Sequence, residues 1–327
     1  VTSAPRGSDS TRVLFAHLLA CESPAAVPAT AERFVRRLLN RTRWRYPLTL
    51  ARPPFGYQSG SLEQFVRHQH ASELNRHRRA PPPRGVDRDF CRWVILQLAP
   101  AILVDGAWLA GVGGAAEQLD AADRHLLRIY LDELGEGRAD WNHPNVFRRL
   151  LESLDLRLPD FTDAAFAHHP DLIDAAFDIP AYLLAIGLLP DRFRPELLGL
   201  NLAIELGGLG ASYLRAIDIL RWHDIDPTIV QLHLSIDNPA SGHTARARAA
   251  IDLYLQNLAR REGDVAMQRA WQRIWLGYRS LATASLGLTL AILARYARVR
   301  LGGSPRSGTL VNSVTGSGAA QASKGGR

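Results

Sequence analysis

The sequence predicts an all-α protein, and three observations support this prediction. Apolar residues recur at intervals of three and four over long stretches of the chain, which is the period of a helix with one buried face. Strictly alternating segments, which would indicate strands, are scarce. Pro, Gly, Asp and Ser bound the helical stretches, as is typical of helix ends. The chain has 327 residues, 46% of them hydrophobic, so it can fill a substantial core.

The spacing of apolar residues predicts ten helices. The first five cover residues 31–40, 62–76, 88–103, 121–134 and 145–154. The second five cover residues 172–186, 195–222, 227–237, 243–261 and 265–299. Proline at the first helical position favours the starts at Pro195 and Pro227. A glycine interrupts the end of the helix that begins at residue 121. Several of these helices are long enough to form a bundle.

Composition divides the chain into three parts. Residues 1–104 are richer in Pro and Arg and are predicted to form an N-terminal helical extension packed on the core. Residues 105–301 form dense helix with short turns, the predicted bundle. Residues 302–327 consist largely of Gly, Ser, Ala and Thr and have no apolar face to bury, so a disordered tail is predicted there.

The net charge of +7 does not by itself indicate a nucleic-acid partner. Lys324 is the single lysine, and the arginines are scattered along amphipathic segments, often near Asp or Glu. The densest basic stretch, residues 76–84, is interpreted as an exposed linker. We therefore expect neither nucleic acid nor a membrane as a partner. The longest apolar stretch, residues 281–294, contains Thr, Ser and Gly and is predicted to be a core helix.

The two cysteines favour a cytoplasmic location. Cys21 and Cys91 lie far apart and match neither a zinc-binding spacing nor a disulfide framework. The first residues lack the charged and apolar regions of a signal peptide, so we expect no export. Cys91 lies on a predicted helix. It is interpreted as a small core residue, and the alternative is a catalytic nucleophile in an enzyme that works without a metal.

The strongest cluster of reactive side chains lies between residues 233 and 243. His233 and Asp237 are one turn apart on the same face of a predicted helix, among apolar neighbours. Burying an aspartate there is costly unless it is paired, hydrogen-bonded or bound to a metal. Pro239 and Gly242 interrupt the helix, which would allow His243 to turn back toward the same site.

Two earlier segments supply further acids and a histidine. Glu205 is the single acid in an otherwise apolar part of its helix, where the alternative to a metal-binding role is an ion pair with a nearby arginine. Glu133 lies on an amphipathic helix and His143 follows its end; Glu136 is the alternative to Glu133. Carboxylates and imidazoles together are the ligands expected for non-haem iron or manganese. The Glu-x-x-His pairs of ferritin-type bundles do not occur in the sequence.

The order and spacing of these residues resemble the haem-oxygenase-like di-metal oxidase and oxygenase superfamily, in particular its branch of iron-containing redox enzymes. Asp237-Asn238 followed by Gly242-His243 is similar to a continuation found in that branch, as is the segment from Val104 to Gly111 that contains Trp108. The resemblance covers about residues 99–279. It implies a haem-oxygenase-like helical bundle, here with extra N-terminal helices. The implied metal ligands are Glu133 (or Glu136), His143, Glu205, His233, Asp237 and His243.

The resemblance also implies an activity. Two ferrous ions per chain would activate dioxygen and oxidise a small molecule held in the bundle core, such as a secondary metabolite or an amino-acid derivative in a biosynthetic pathway. Manganese is the alternative metal because the same ligands serve both ions. A homodimer is compatible with such bundles. The competing hypothesis is a metal-free helical protein that binds a ligand or a partner in a biosynthetic pathway.

Overall fold

In a computed structural model, the chain is described for residues 9–20, 27–45, 52–80, 86–114, 119–236 and 241–301. The helices of the first half are α1 Asp9–Ala20, α2 Val27–Arg45, α3 Ser61–Arg78, α4 Arg88–Ile102, α5 Ala121–Glu133, α6 His143–Ser153 and α7 Ala164–Ala167. Those of the second half are α8 Asp178–Gly187, α9 Arg194–Gly208, α10 Ala211–Trp222, α11 Thr228–Ile236, α12 His243–Glu262, α13 Asp264–Ala284 and α14 Leu286–Leu301. Short 3₁₀ turns occupy Ala107–Leu109, Gly135–Gly137 and Asp174–Phe177.

The all-α prediction is confirmed, since no strand occurs in the described ranges. Helices α5, α9, α12 and α13 pack against one another as the centre of the bundle. The N-terminal helices cover one side, where α1 packs on α8 and α2 packs on both α8 and α13. The boundary between residues 104 and 105 stays a prediction, and the predicted tail, 302–327, lies outside the described residues.

Two predicted long helices are each divided into two. Residues 195–222 form α9 and α10, which bend by 41° at the break between them. Residues 265–299 form α13 and α14, and the prediction of a core helix over 281–294 is wrong for part of its second half. Leu288 is buried there, but Leu290 and Leu293 are each 55% exposed. The spacing of apolar residues does not reveal a break between two helices when the same spacing continues across it.

By length and composition alone, two stretches could cross a membrane, Arg88–Leu109 and Asp264–Arg300; the bent pair α9 and α10 would add a third if counted as one span. In the first of them, 56% of the apolar window is buried inside the protein. Burial against other helices accounts for much of the apolar character of this stretch.

The close contact between α9 and α13 depends on two glycines. A Cβ at Gly199 would lie 1.8 Å from the carbonyl oxygen of Ile274, and a Cβ at Gly277 would lie 2.0 Å from that of Glu196. Both positions meet rigid backbone rather than a movable side chain. The two helices can therefore approach this closely only where the residue has no side chain. This contact fixes the position of α9, the helix that carries Glu205.

Replacing Gly199 by alanine is therefore expected to destabilise the protein by about 2 kcal/mol or more, since the added methyl group must separate two helix backbones. Urea denaturation would measure the loss. Gly207→Ala is the matched control, because it lies on the same helix and no atom lies within 4 Å of its added Cβ. Equal stability of the two variants would contradict the close-packing argument.

Candidate metal centre

Acidic and histidine side chains meet inside the bundle in two adjoining groups. The first group consists of Asp105, Glu133, His143 and His233, and the second of Glu133, Glu205 and His243. Within each group, one nitrogen or oxygen atom from every residue lies within 4.8 Å of the others. Glu133 belongs to both groups, so its carboxylate lies between two potential metal positions.

A short connection brings Glu133 and His143 together. Glu133 is the last residue of α5 and His143 the first of α6, with the Gly135–Gly137 turn between the helices. Asn142 caps α6, since its side-chain oxygen accepts a hydrogen bond from the backbone N–H of Asn145 at 3.0 Å. The His143 Nδ1 atom thereby lies 2.5 Å from Glu133 Oε2. Both side chains are almost completely buried.

Asp105 follows the end of α4 and reaches the first group through a tight turn. Its Oδ2 atom lies 3.1 Å from His143 Nδ1 and 3.3 Å from His233 Nε2. The next residue, Gly106, has φ of 81°, and a Cβ there would lie 3.2 Å from the Cβ of Glu133. The left-handed conformation and the close approach to α5 both favour glycine at this position. The Asp-Gly pair thus brings the Asp105 carboxylate against the end of α5.

A buried hydrogen bond joins this turn to α9. Trp108 donates its indole N–H to the side-chain oxygen of Asn201 at 2.8 Å, and both residues are almost fully buried. Asn201 lies one turn before Glu205 on α9. Trp108 therefore packs in the interior of the protein, beside α9. The bond ties the Asp105 turn to the helix that carries Glu205.

His233 is oriented by its own helix, α11. The side chain of Asp226 accepts a hydrogen bond from the backbone N–H of Thr228 at 2.9 Å and so fixes the start of this helix. The His233 Nδ1 atom lies 2.7 Å from the carbonyl oxygen of Ile229, which can only accept. Nδ1 therefore carries a proton, and Nε2 faces the first group. A backbone acceptor behind the ring is the usual arrangement for a metal-binding histidine.

The second group forms where the end of α9 meets the start of α12. The Thr244 hydroxyl donates to the backbone oxygen of Glu205 at 3.1 Å and holds these helix ends together. The His243 Nδ1 atom lies 3.2 Å from Glu133 Oε1 and 3.3 Å from Glu205 Oε2. On the other side of the ring, Nε2 lies 3.2 Å from Asp132 Oδ2. Asp132 thus orients the imidazole and increases its basicity.

The pKa values of the first group reflect mutual pairing in a buried place. Burial would lower the pKa of His143, but hydrogen bonds to Asp105 and Glu133 outweigh it and raise the pKa to about 10. Burial would also lower the pKa of His233, but the hydrogen bond to Asp105 outweighs it and raises the pKa to about 9.

Burial alone would raise the pKa of both acids of this group. For Asp105, hydrogen bonds from the two histidines outweigh burial and lower the pKa well below its usual range. Burial and the nearby charge of Asp105 would raise the pKa of Glu133, but hydrogen bonds from His143 and His243 outweigh them and lower it. Buried carboxylates therefore keep their charge by pairing with protonated imidazoles, and a divalent cation would replace those protons in the same place. The donor set fits iron or manganese.

The structure brings together five of the six residues predicted as metal ligands. Of the two acids considered on α5 and its end, Glu133 lies in the centre. Glu136 lies outside it, with φ of 50°, and its side chain pairs with Arg128. Asp237 lies outside the described residues. Sequence reasoning missed Asp105, because an Asp-Gly pair after a helix is also an ordinary turn signal.

Cys91 does not have the properties of a nucleophile. It is buried on α4, and burial, followed by the charge of Asp87, raises the pKa of its thiol to about 11. A thiol with such a pKa is protonated near neutral pH, so the interpretation as a small core residue is supported.

Comparison with known proteins gives one family. The model of a family described as iron-containing redox enzymes matches residues 92–278, more than half of the chain. The match begins on α4, before Asp105, and includes every residue of both groups. Among curated proteins, none matches the sequence significantly.

Proposed function

Because the chain belongs to the family of iron-containing redox enzymes, whose fold is haem-oxygenase-like and all-α, we propose that it is a non-haem di-iron oxidase or oxygenase. Family membership supports an oxidoreductase-type function. The finer proposal is that the protein activates dioxygen and oxidises a small molecule. The observation that carries it is the position of Glu133, whose two oxygen atoms face one buried group each.

The two groups would hold one iron each. Asp105, His143 and His233 would bind the first, Glu205 and His243 the second, and Glu133 would bridge them. Asp237 remains a ligand predicted from the sequence. Three histidines and at least three carboxylates leave room for exogenous ligands at two ions, as an oxygen-activating site requires.

Ferrous ions bound here would supply the electrons that reduce dioxygen. The protein's own contribution is the orientation and environment of the ligands. The carbonyl of Ile229 holds a proton on Nδ1 of His233 and so keeps Nε2 directed at the site. For His243 the nitrogens are exchanged: Asp132 contacts Nε2, which leaves Nδ1 directed at the site. Burial of Glu133 and Glu205 keeps bulk water away from the reacting atoms.

The interior location of the centre supports a proposal for the class of substrate. A centre enclosed by helices suits a small organic molecule rather than a polymer, and we propose a biosynthetic intermediate such as a secondary metabolite or an amino-acid derivative. The variety of reactions open to such a centre includes N-oxygenation, desaturation and carbon–carbon cleavage. Desaturation and N-oxygenation would differ in whether oxygen from O₂ enters the product, which mass spectrometry with ¹⁸O₂ distinguishes.

Metal content and oxygen uptake test the proposal directly. Protein loaded anaerobically with Fe²⁺ and desalted is expected to retain about two irons per chain, to gain thermal stability through metal binding, and to consume oxygen on mixing. The gain in melting temperature should disappear with a chelator. Protein that retains no iron, consumes no oxygen and melts at the same temperature with or without chelator would support the metal-free ligand-binding alternative instead.

Metal binding is also expected to release protons. In the metal-free protein, His143 and His233 keep their extra proton at pH 7, because their pKa values are raised to about 10 and about 9. A ligand nitrogen must lose that proton, so the affinity for Fe²⁺ should increase as pH rises from 6 toward 9.

Calorimetric titration with Fe²⁺ under anaerobic conditions, in buffers of different ionisation enthalpy, measures the number of protons released. We expect between one and about two per chain near pH 7. Glu136→Gln, which changes an exposed acid outside the centre, should release the same number as the wild type. An affinity that stays constant between pH 6 and pH 8 would contradict the assignment of both histidines.

A further inference from the structure

A groove rich in arginine lies on the surface between α2 and α13. It has a volume of about 580 Å³, and five of its nine lining residues are arginines. These arginines are Arg43, Arg52, Arg269, Arg273 and Arg279. No acidic residue lines the groove. This concentration of charge contrasts with the even scatter of arginines along the sequence.

The arginines come from three separate segments. Arg43 lies in the last turn of α2, and Arg52 lies beyond the end of that helix. Arg269, Arg273 and Arg279 lie along the face of α13 that borders the groove. The two walls of the groove therefore both carry positive charge. A ligand between them would meet guanidinium groups from opposite sides.

Only part of this charge is balanced within the described chain. Arg273 forms a bidentate ion pair with Glu196, in which Nε and Nη2 each lie 2.7 Å from one carboxylate oxygen. Among the described residues, no carboxylate forms an ion pair with Arg43, Arg52 or Arg269. Like charges held close together repel one another, and an anion in the groove would relieve that repulsion.

We propose that the groove binds a small polyanion that carries two or more phosphate groups. Guanidinium groups match phosphate oxygens in pairs, with strong charge-assisted hydrogen bonds. The volume lies within the range of small-molecule sites, roughly 300–1,000 Å³. Arginines on two walls favour a ligand with separate charged groups, such as a diphosphate, over a single phosphate. A concave site of this size also suits a small molecule better than a duplex or a membrane surface.

This site is distinct from the metal centre. Glu196, which holds Arg273, precedes Glu205 on α9 by nine residues, or about 14 Å along the helix axis. The inference therefore does not depend on iron, oxygen or the proposed oxidation. It remains testable in metal-free protein, where pyrophosphate cannot act by chelating bound iron.

Calorimetric titration of metal-free protein with inorganic pyrophosphate at physiological salt tests the proposal. We expect one saturable site per chain, with orthophosphate bound at least tenfold more weakly. Arg43→Gln and Arg269→Gln, one on each wall, should each weaken pyrophosphate binding roughly tenfold, the loss expected for one charge-assisted hydrogen bond. Both side chains are exposed, so the fold should be retained, as circular dichroism would check.

Arg261→Gln is the matched control, because Arg261 is an exposed arginine on α12 that does not line the groove. It should bind pyrophosphate as the wild type does. An equal loss in this control, or no saturable binding at all, would overturn the proposal. Binding to vesicles that contain anionic phospholipid, lost in Arg43→Gln but without any binding of pyrophosphate, would overturn it in favour of a membrane surface.

Discussion

Replacing Glu133 by glutamine is expected to remove both irons of the proposed di-iron centre. The substitution keeps the shape of the side chain but removes the charge that faces His143 on one side and His243 on the other. Loss of a single outer partner of a metal ligand weakens binding about 10- to 100-fold, so loss of a bridging ligand should cost on the order of 100-fold or more at each position. Elemental analysis after anaerobic loading and desalting would show less than about one iron per two chains.

Glu136→Gln provides the matched control for this variant. It makes the same chemical change three residues later, on a side chain that pairs with Arg128 outside the centre. It should retain wild-type iron and wild-type oxygen uptake. If Glu136→Gln lost iron while Glu133→Gln retained it, the assignment of the two acids would have to be exchanged.

Replacing Asp105 by asparagine is expected to remove one iron and leave the other. Asp105 contacts His143 and His233 but is not a member of the second group. About one iron per chain should therefore remain, held by Glu133, Glu205 and His243. Glu205→Gln should have the converse effect and leave the iron of the first group. The double variant should retain neither, because the two changes act on different ions.

Asp155→Asn controls for the general effect of removing an aspartate charge, since Asp155 is exposed and belongs to neither group. It should bind two irons. Asp105→Asn with full iron content, together with an unchanged melting temperature of the iron-loaded protein, would show that Asp105 only orients the histidines or has no role in metal binding.

Part of the centre could be predicted because two of its residues depart from the apolar pattern of their own helices. Glu205 stands among apolar residues, and His233 lies on an apolar face, so each indicates a buried partner or a metal. The choice between Glu133 and Glu136 could not be made in this way. It depends on whether the chain leaves the helix before or after residue 134, and helix ends are the least certain part of any such prediction.

Asp105 could not be identified from the sequence, for a different reason. An aspartate before a glycine in a turn is common and needs no special function, so its sequence carries no signal of a ligand. Its role depends on where α4 ends relative to α5. The hydrogen bond from Trp108 to Asn201 and the contact of Gly106 with Glu133 determine that position, and both join residues far apart in sequence.

The sequence by itself determined the helical class, the approximate helices of the bundle and most of the acids and histidines of the centre. The spacing of apolar residues and the presence of a polar residue among them are both local properties of the chain. Tertiary structure alone decided that Glu133 is shared between two groups, that Asp105 joins the first, and that arginines from three segments line one groove. These facts depend on distances across the bundle. Such distances are set by how closely helices pack, as at Gly199 and Gly277, and neither period nor composition contains them.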